Sequence, residues 1–304
     1  MRINGVEIDD TFAEAFDMVA CRILMTAKNE DWALKAAREA TGFATSVIQC
    51  GVEAGIERQV KPSNTPDERP GVSLLFTAMS KDKLRKQVRT RVGQCIMTSP
   101  SSACYNNLEE GSPMGIGKSL RYFGDGYQIP KRVEDNFGKG DRRLWRIPVM
   151  EGEFVLEEEF KVKEDAIGGG NFFVMGKDEE SVLEASEKAV EAMKELKGTI
   201  TPFPGGIVRS GSKTESKYSF LHASTNTAYC PTVRSIVESK VPKGVNSVLE
   251  IVINGLDEKC IGETTKEGVE AACTVSGIKR ISAGNYGGSL GNHFFHLHDL
   301  LEVS

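Results

Sequence analysis

The segment that decides the fold lies in the C-terminal half of the chain and reads Ser247-Val-Leu-Glu-Ile-Val-Ile253. Its Val, Leu and Ile residues predict a β-strand covered on both faces, because aliphatic side chains suit a buried, pleated surface. Glu250 is the exception. An isolated ionised carboxylate is costly in such a place, so it must find a partner or hold a proton near neutral pH. The alternative is an edge strand whose Glu250 face meets water.

General acid/base chemistry needs a group that exchanges a proton near neutrality. Glu250 is therefore the candidate catalytic residue. Covalent catalysis is less favoured, because the sequence has no G-x-S-x-G motif and no cysteine with a histidine nearby in sequence. The pattern indicates direct transfer of a group from donor to acceptor.

Hydrophobic periodicity on both sides of this segment predicts the same order of elements twice, β-α-β-β-α-β. In the C-terminal part we expect strands at 171–175, 198–203, 247–253 and 278–283, helices at 178–197 and 257–273, and a last extended segment at 294–297. In the N-terminal part we expect strands at 20–26, 46–50, 72–79 and 93–98, and helices at 30–40 and 81–91. The fold class is α+β: two ferredoxin-like lobes, 1–146 and 147–304, with antiparallel sheets and helices packed on one face.

Composition sets the class of protein. The 304 residues are 39% hydrophobic and 27% charged, with a net charge of −5, as in an ordinary folded protein without a basic surface for nucleic acid. No run of about 18 apolar residues is long enough to cross a membrane, and the first residues do not form a signal peptide. Seven scattered cysteines without a C-x-x-C pair suggest reduced thiols. We expect a cytoplasmic protein.

Three glycine-rich segments in the C-terminal part can approach a ligand closely: Ile167–Asn171, Thr201–Lys213 and Ser282–Gly291. The second of them ends in donors for a carboxylate or phosphate, at Arg209, Ser210, Ser212 and Lys213. The alternative for each segment is an ordinary solvated turn. His296 and His298 have the spacing of two ligands on one strand face, but without an acidic or thiolate pattern nearby we expect a polar sheet face and no metal.

Several segments resemble the formylmethanofuran–tetrahydromethanopterin formyltransferase family. They extend over nearly the whole chain in the same order and are Asp10–Phe16, Ala40–Ile48, Glu53–Arg58, Gly198–Val208, Glu250–Leu256 and Ile281–Gly288. The resemblance implies an acyltransferase of one-carbon metabolism and methanogenesis. This family moves a formyl group from formylmethanofuran to N5 of tetrahydromethanopterin, with both coenzymes as co-substrates and no permanently bound cofactor. It also implies two ferredoxin-like lobes and a homodimer or homotetramer.

The resemblance also assigns roles to residues. The family's catalytic glutamate aligns with Glu250, which would move a proton from the attacking to the leaving nitrogen in a ternary complex of enzyme and both substrates. The oxyanion would be bound by the backbone N–H groups of Gly205 and Gly206 or by Asn254, which is alternatively a turn residue. The rings of the substrates would lie against Phe172, Phe173, Phe203 and Tyr286, where phenylalanines have core packing as the alternative.

Other residues of the matched segments are softer candidates for substrate binding: Asn171, Asn285, Thr41, Thr45 and Ser46. For the threonines and the serine, as for Glu53 and Glu57, the alternative is turn and cap chemistry, which we prefer for the two glutamates.

Three other functions remain open. The chain can be a non-catalytic or co-catalytic subunit of a formyltransferase/hydrolase complex, or a carrier that binds a pterin without chemistry. A formamide hydrolase is the third, if water replaces the attacking amine.

Overall fold

Four helices begin at a residue whose side chain accepts a hydrogen bond from the first helical turn, where backbone N–H groups otherwise lack a partner. These residues are Asn29, Ser80, Asp178 and Asp257. The structure, a computed structural model, describes residues 1–48, 50–133 and 141–302. Its α-helices are Glu30–Thr41, Lys81–Arg91, Ile116–Leu120, Glu179–Met193, Glu258–Ala272 and Leu297–Glu302.

The strands pair mostly antiparallel, and the predicted α+β class is confirmed. Parallel pairs join Ala103 to Val155 and Glu7 to Arg280. That each lobe is ferredoxin-like stays a prediction. The strands are Arg2–Ile3, Val6–Ile8, Phe12–Thr26, Glu53–Val60, Gly71–Ala78, Ala103–Asn106, Ser112–Met114, Ile129–Val133, Arg142–Val149, Gly152–Glu157, Phe160–Gly176, Thr199–Ile200, Lys213–Thr214, Ala223–Ser224, Ser247–Gly255, Ile278–Ser282 and His293–His296.

One compact unit, the N-terminal unit, consists of Met18–Thr45 and Gly51–Ala166. Its central strand, which ends at Thr26, pairs with Gly71–Ala78 and with Ala103–Asn106. Alternate residues of that strand face opposite sides of the sheet. Cys21, Ile23 and Met25 join the core with the helices, where alanines allow close approach of helix Glu30–Thr41, and Leu24 joins a smaller cluster with Tyr105.

The other compact unit, the C-terminal unit, consists of Met1–Asp17, Ser46–Cys50 and Ile167–Ser304. Strand Ser247–Gly255 pairs antiparallel with residues 167–176 on one side and with Thr199–Ile200 on the other. One face carries Phe172, Val174, Ile251 and Ile253, which pack with Val182, Ala185, Ile261 and Val269 of the two long helices. The opposite face packs Phe173 and Met175 with Val241 and Val245. This second face also bears Glu250.

Three predicted strands are wrong or too long. The described residues of 46–50 form no strand, and the N–H of Ser46 donates instead to the backbone oxygen of Pro202. The chain after helix Lys81–Arg91 continues as a π-helical segment, Val92–Ile96, so the apolar residues predicted as strand 93–98 are helical. The return strand at 198–203 is only Thr199–Ile200, because Pro202 and Pro204 have no N–H group to extend the ladder.

The predicted lobe boundary between residues 146 and 147 stays a prediction. The compact units differ from it, because the long strands Phe12–Thr26 and Phe160–Gly176 each contribute residues to both units. Throughout residues 1–48, 50–133 and 141–302, no helix combines the length and apolar character that crossing a membrane requires.

Candidate active site

Glu250 lies on an interior strand of the C-terminal unit. Phe173 is directly opposite it on one neighbouring strand. On the other side, the N–H of Val208 donates to the backbone oxygen of Glu250 at 2.7 Å, and the N–H of Glu250 donates to that of Val208 at 3.0 Å. Both edges of Glu250 are therefore paired, and the edge-strand alternative is wrong.

The carboxyl of Glu250 is withdrawn from water although the residue as a whole is only half-buried. Burial raises its pKa to about 7, from an ordinary value of 4.5. Within the described part of the chain, no cation or hydrogen-bond donor contacts this carboxyl to oppose the effect. The sequence left a partner or a raised pKa as the two possibilities, and the structure supports the second. Such a group can both accept and donate a proton at neutral pH.

A row of residues extends sideways from Glu250 across the sheet. Phe173 pairs with Glu250 on one side and with Ser282 on the other, and directly opposed residues share a face. The ring of Tyr229 packs against that of Phe173 at a centroid distance of 4.5 Å and an angle of 55°, and the hydroxyl of Ser282 acts on that of Tyr229. This cover helps to exclude water from the row that contains Glu250.

The glycine-rich segment Ser282–Gly291 begins at this row. A Cβ on Gly284 would lie 3.0 Å from Cζ of Phe173, so this glycine allows the backbone to pack closely on the ring. Tyr286 follows two residues later. Burial, then the negative charges of Glu250 and Glu14, raise the pKa of the Tyr286 hydroxyl. The segment therefore brings Tyr286 within electrostatic range of Glu250.

A buried carboxylate, that of Glu14, holds this segment. Its Oε2 accepts from the N–H groups of Tyr286 at 2.6 Å and Gly288 at 2.9 Å, and its Oε1 from those of Leu290 and Gly291, each at 2.6 Å. Glu14 is only 1% exposed. Burial alone would raise its pKa, but the four backbone hydrogen bonds outweigh it and lower the pKa below its ordinary value.

The three predicted asparagines hold the backbone around Glu250. Asn171 donates to the oxygens of Gly169 and Gly284 and accepts from the N–H of Gly284 at 2.6 Å. Asn254 is fully buried and accepts from the N–H of Gly169 at 3.0 Å. This geometry agrees with a structural role for Asn254, and its role as an oxyanion donor stays a prediction. Asn285 donates to the oxygen of Phe12 at 3.0 Å.

The predicted ring contacts divide by burial. Phe172 is fully buried on the helix side of the sheet, which agrees with its alternative role in core packing. Phe203 and Tyr286 are half-buried. Phe173 is 4% exposed and lies in the row beside Glu250.

The glycines of the second glycine-rich segment have a turn conformation. Gly205 and Gly206 have φ of +64° and +81°, and Gly205 is exposed. The N–H of Gly206 already donates to the oxygen of Phe203 at 2.8 Å, which leaves Gly205 as the better donor of the two. The predicted polar residues that follow are exposed at Ser210 and Ser212 and half-buried at Lys213, which pairs with Ser224 in a two-stranded sheet.

The N-terminal candidates lie in different units. Thr41 ends helix Glu30–Thr41, where its hydroxyl donates to the oxygen of Ala37 at 2.9 Å, and it belongs with Thr45 to the N-terminal unit. Ser46 belongs to the C-terminal unit and is half-buried. Their contact with substrate stays a prediction. Glu57 is paired with Arg22, which agrees with a structural role.

The histidine pattern does not form the predicted strand face. The last strand ends at His296, and His298 lies in helix Leu297–Glu302, where its Nε2 is 2.9 Å from the oxygen of Ile8. His293 lies between Glu258 and Asp17, with ring nitrogens 2.7 and 2.8 Å from their carboxylate oxygens. In the residues that the structure describes, no group of three metal-ligating side chains is assembled.

Comparison with known proteins gives the family. Residues 1–149 match the family model described as formylmethanofuran-tetrahydromethanopterin formyltransferase, and residues 152–300 match the model of its proximal lobe. A protein from Methylococcus capsulatus named formylmethanofuran–tetrahydromethanopterin formyltransferase is 52% identical, over 99% of this chain and 100% of its own length. The chain belongs to this family. The predicted family and its enzyme class, acyltransferase, are therefore confirmed.

Solved structures of the formyltransferase family share the fold. A formyltransferase from Methanosarcina barkeri superposes with a TM-score of 0.93 at 49% identity, covering 99% of this chain and 100% of that one. A chain of the formyltransferase/hydrolase complex from Methylorubrum extorquens, solved with methylofuran, superposes with a TM-score of 0.96 at 45% identity, covering 99% of both chains. The mixed α+β architecture agrees in both comparisons.

Sequence reasoning missed two residues of the candidate site. Glu14 lies within a segment that matched the family, but a single acidic residue gives no sign that distant N–H groups will surround it. Tyr229 lies in a stretch without clear periodicity. Its proximity to Phe173 and Ser282 depends on how residues 227–245 fold back over the sheet.

Proposed function

We propose that the chain transfers a formyl group from formylmethanofuran to N5 of tetrahydromethanopterin, in a ternary complex with both co-substrates and with Glu250 as acid and base. Family membership supports the substrates, because the relatives carry this reaction in their names. The observation that carries the mechanism is the carboxyl of Glu250, shielded on an interior strand with a pKa of about 7.

The chemistry needs a proton to change places. The acceptor nitrogen attacks the formyl carbon, a C–N bond forms, and negative charge develops on the formyl oxygen. Ionised Glu250 accepts the proton that the attacking nitrogen loses. It then returns this proton to the donor nitrogen as the second C–N bond breaks, because an amide anion is a very poor leaving group. Such acid/base assistance contributes roughly 10² to 10⁴ in rate.

The surroundings of Glu250 supply the remaining roles. The exposed N–H of Gly205 is the proposed donor to the oxyanion, since it lies in the turn just before Val208, which is bridged to Glu250. Phe203 and Tyr286, both half-buried, are the proposed contacts for the rings of the co-substrates. Ser210, Ser212 and Lys213 are proposed to bind their anionic groups.

A transfer assay tests the function. Purified protein is mixed with formylmethanofuran and tetrahydromethanopterin, and the formylated pterin and free formate are both quantified. We expect formyl-pterin without formate, together with intersecting initial-rate lines, which indicate a ternary complex. Formate alone would favour the hydrolase, and pterin binding without turnover would favour the carrier.

A second candidate is that this chain works as the transferase subunit of a formyltransferase/hydrolase complex. The observation that favours it is the TM-score of 0.96 with a chain of such a complex. Affinity purification from the source cells tests it by showing whether other subunits of fixed stoichiometry remain bound. Transfer by the isolated chain would show that it is catalytic in either setting.

We further propose a cytoplasmic homodimer or homotetramer. Aromatic side chains that one chain leaves exposed support an association, among them Tyr218 and Phe220 in one unit and Tyr122, Phe123 and Tyr127 in the other. Light scattering of the purified protein measures its mass directly. A monomer at assay concentration would contradict the proposal.

A further inference from the structure

The carboxylate of Glu14 has an unusual set of partners. Buried carboxylates are normally balanced by a cation. Here the partners are four backbone N–H groups, and all four come from the six residues between Tyr286 and Gly291. The strand that carries Glu14 therefore ties down one irregular segment through a single side chain.

That segment lies against the proposed active site. Gly284, two residues before Tyr286, packs on Phe173, the cross-strand neighbour of Glu250. Its N–H donates to Oδ1 of Asn171. The ring of Tyr286 lies 6.4 Å from that of Phe16, two residues beyond Glu14 on the same strand. Gly287 and Gly288 follow at φ of +70° and +76°, so the backbone curls around the carboxylate. The fixed point of the segment is thus only a few residues from the row of Glu250.

We propose that Glu14 is a positioning residue for the formyl transfer: its ionised carboxylate fixes the segment Gly284–Gly291, so that Tyr286 stays beside Glu250 and water stays out. This inference rests on the proposed function. Glu14 does not need to contact either substrate for this role. Its effect passes through the four N–H groups to Tyr286, and from there to the environment of the catalytic carboxyl.

Glu14→Gln is the direct test, because glutamine keeps the size of the side chain but replaces one acceptor oxygen with an NH₂ group. That group faces two N–H donors and can bond neither of them. We expect kcat to fall about 10- to 100-fold, as small displacements in an active site do, with a smaller change in KM. Hydrogen exchange at residues 286, 288, 290 and 291 should become faster.

The pH profile separates positioning from simple loss of stability. A loosened segment admits water to Glu250. Because burial is what raises the pKa of Glu250, this change lowers it, and the acidic limb of the rate profile should move to lower pH. Val269→Ala, a cavity in the helix–sheet core, serves as the control for stability, and Glu7→Gln, at an exposed ion pair with Arg280, as the control for charge. Neither control variant should shift the acidic limb of the pH–rate profile.

A double-mutant cycle tests the route of the effect. If Glu14 acts through Tyr286, Glu14→Gln should lower kcat by a smaller factor in a Tyr286→Ala background than in the wild type. Should Glu14→Gln not fold, Glu14→Asp keeps the charge but reaches fewer N–H groups, and it should show the same changes to a smaller degree.

The outcomes distinguish this inference from the proposed function. An active wild type whose Glu14 variants exchange faster at residues 286–291 but keep kcat and the pH limb would overturn positioning and leave the transfer function intact. A wild type that does not transfer formyl groups at all would overturn both.

Discussion

Each compact unit has a glutamate on a β-strand, Glu57 buried and Glu250 half-buried, and the two differ in what contacts the carboxyl. In the N-terminal unit, Glu57 is 4% exposed, its Oε1 is 3.0 Å from Nη1 of Arg22, and its Oε2 accepts from the hydroxyl of Ser73 at 2.5 Å. In the C-terminal unit, the described residues give the carboxyl of Glu250 neither a cation nor a donor, and burial raises its pKa to about 7.

The difference teaches how similar surroundings produce a structural group and a reactive one. A charge partner and hydrogen bonds favour the ionised form of a buried carboxyl and fix its geometry. Without them, removal of a carboxyl from water moves its pKa into the range where a proton is easily gained and lost. Glu14 extends the comparison within the C-terminal unit, because four N–H groups lower its pKa although it is as deeply buried as Glu57.

The largest expected effect comes from Glu250→Gln. The amide keeps the shape of the side chain but cannot carry the proton, so turnover should fall by roughly 10² to 10⁴ while the protein stays folded. Transfer rates and circular dichroism measure the two properties. Turnover near that of the wild type would remove Glu250 from the mechanism.

Glu57→Gln should show the opposite pattern. It leaves the charge of Arg22 without its counter-charge, and breaking a buried ion pair costs about 3 kcal/mol of stability. Denaturant unfolding measures this loss. The rate of formyl transfer by the protein that remains folded should be unchanged, and a loss of rate similar to that of Glu250→Gln would erase the contrast between the two glutamates.

The ring of Tyr229, which covers the row beside Glu250, can be removed without changing the Glu250 carboxyl itself. Tyr229→Leu removes the ring that packs on Phe173, so more water should reach the row, the pKa of Glu250 should fall, and turnover at pH 7 should drop about 10-fold. The matched control is Tyr229→Phe, which keeps the ring and removes only the hydroxyl group near Ser282. The pH dependence of kcat separates them. Equal profiles for the leucine variant and the wild type would show that the ring does not shield Glu250.

The smallest expected effect lies at His293. Burial alone would lower its pKa, but hydrogen bonds and charge from Glu258 and Asp17 raise it above the ordinary 6.5. The interaction of protonated His293 with these two carboxylates therefore contributes fully to stability below the pKa of the unfolded state. This contribution is lost as the pH rises through the higher pKa of the folded state. Between pH 6 and 8 the wild type should lose about 2 °C more in melting temperature than His293→Gln. The same change in melting temperature with pH in the wild type and in His293→Gln would contradict the raised pKa of His293.

Local signals were sufficient for much of the fold. The periodic apolar faces located the four long helices within a few residues. The prediction of a strand at 93–98 was wrong for two reasons. A short apolar run does not distinguish a strand from a helix, and the chain there continues directly from helix Lys81–Arg91.

The site was predictable only in part, for a related reason. A lone glutamate in an aliphatic strand is visible in one segment, so Glu250 could be singled out. The partners of Glu14 lie more than 270 residues away along the chain, and the hydrogen bonds of Asn254 and Asn285 to the backbone are likewise made to residues distant in sequence.

The most direct measurement is a titration of the Glu250 carboxyl itself. Carbon-13 NMR of protein labelled at the glutamate carboxyl carbons, compared with Glu250→Gln, isolates its signal. We expect one signal that titrates near pH 7 and is missing in the variant. A Glu250 signal that titrates near 4.5, as a solvated carboxyl does, would contradict the shielded acid/base.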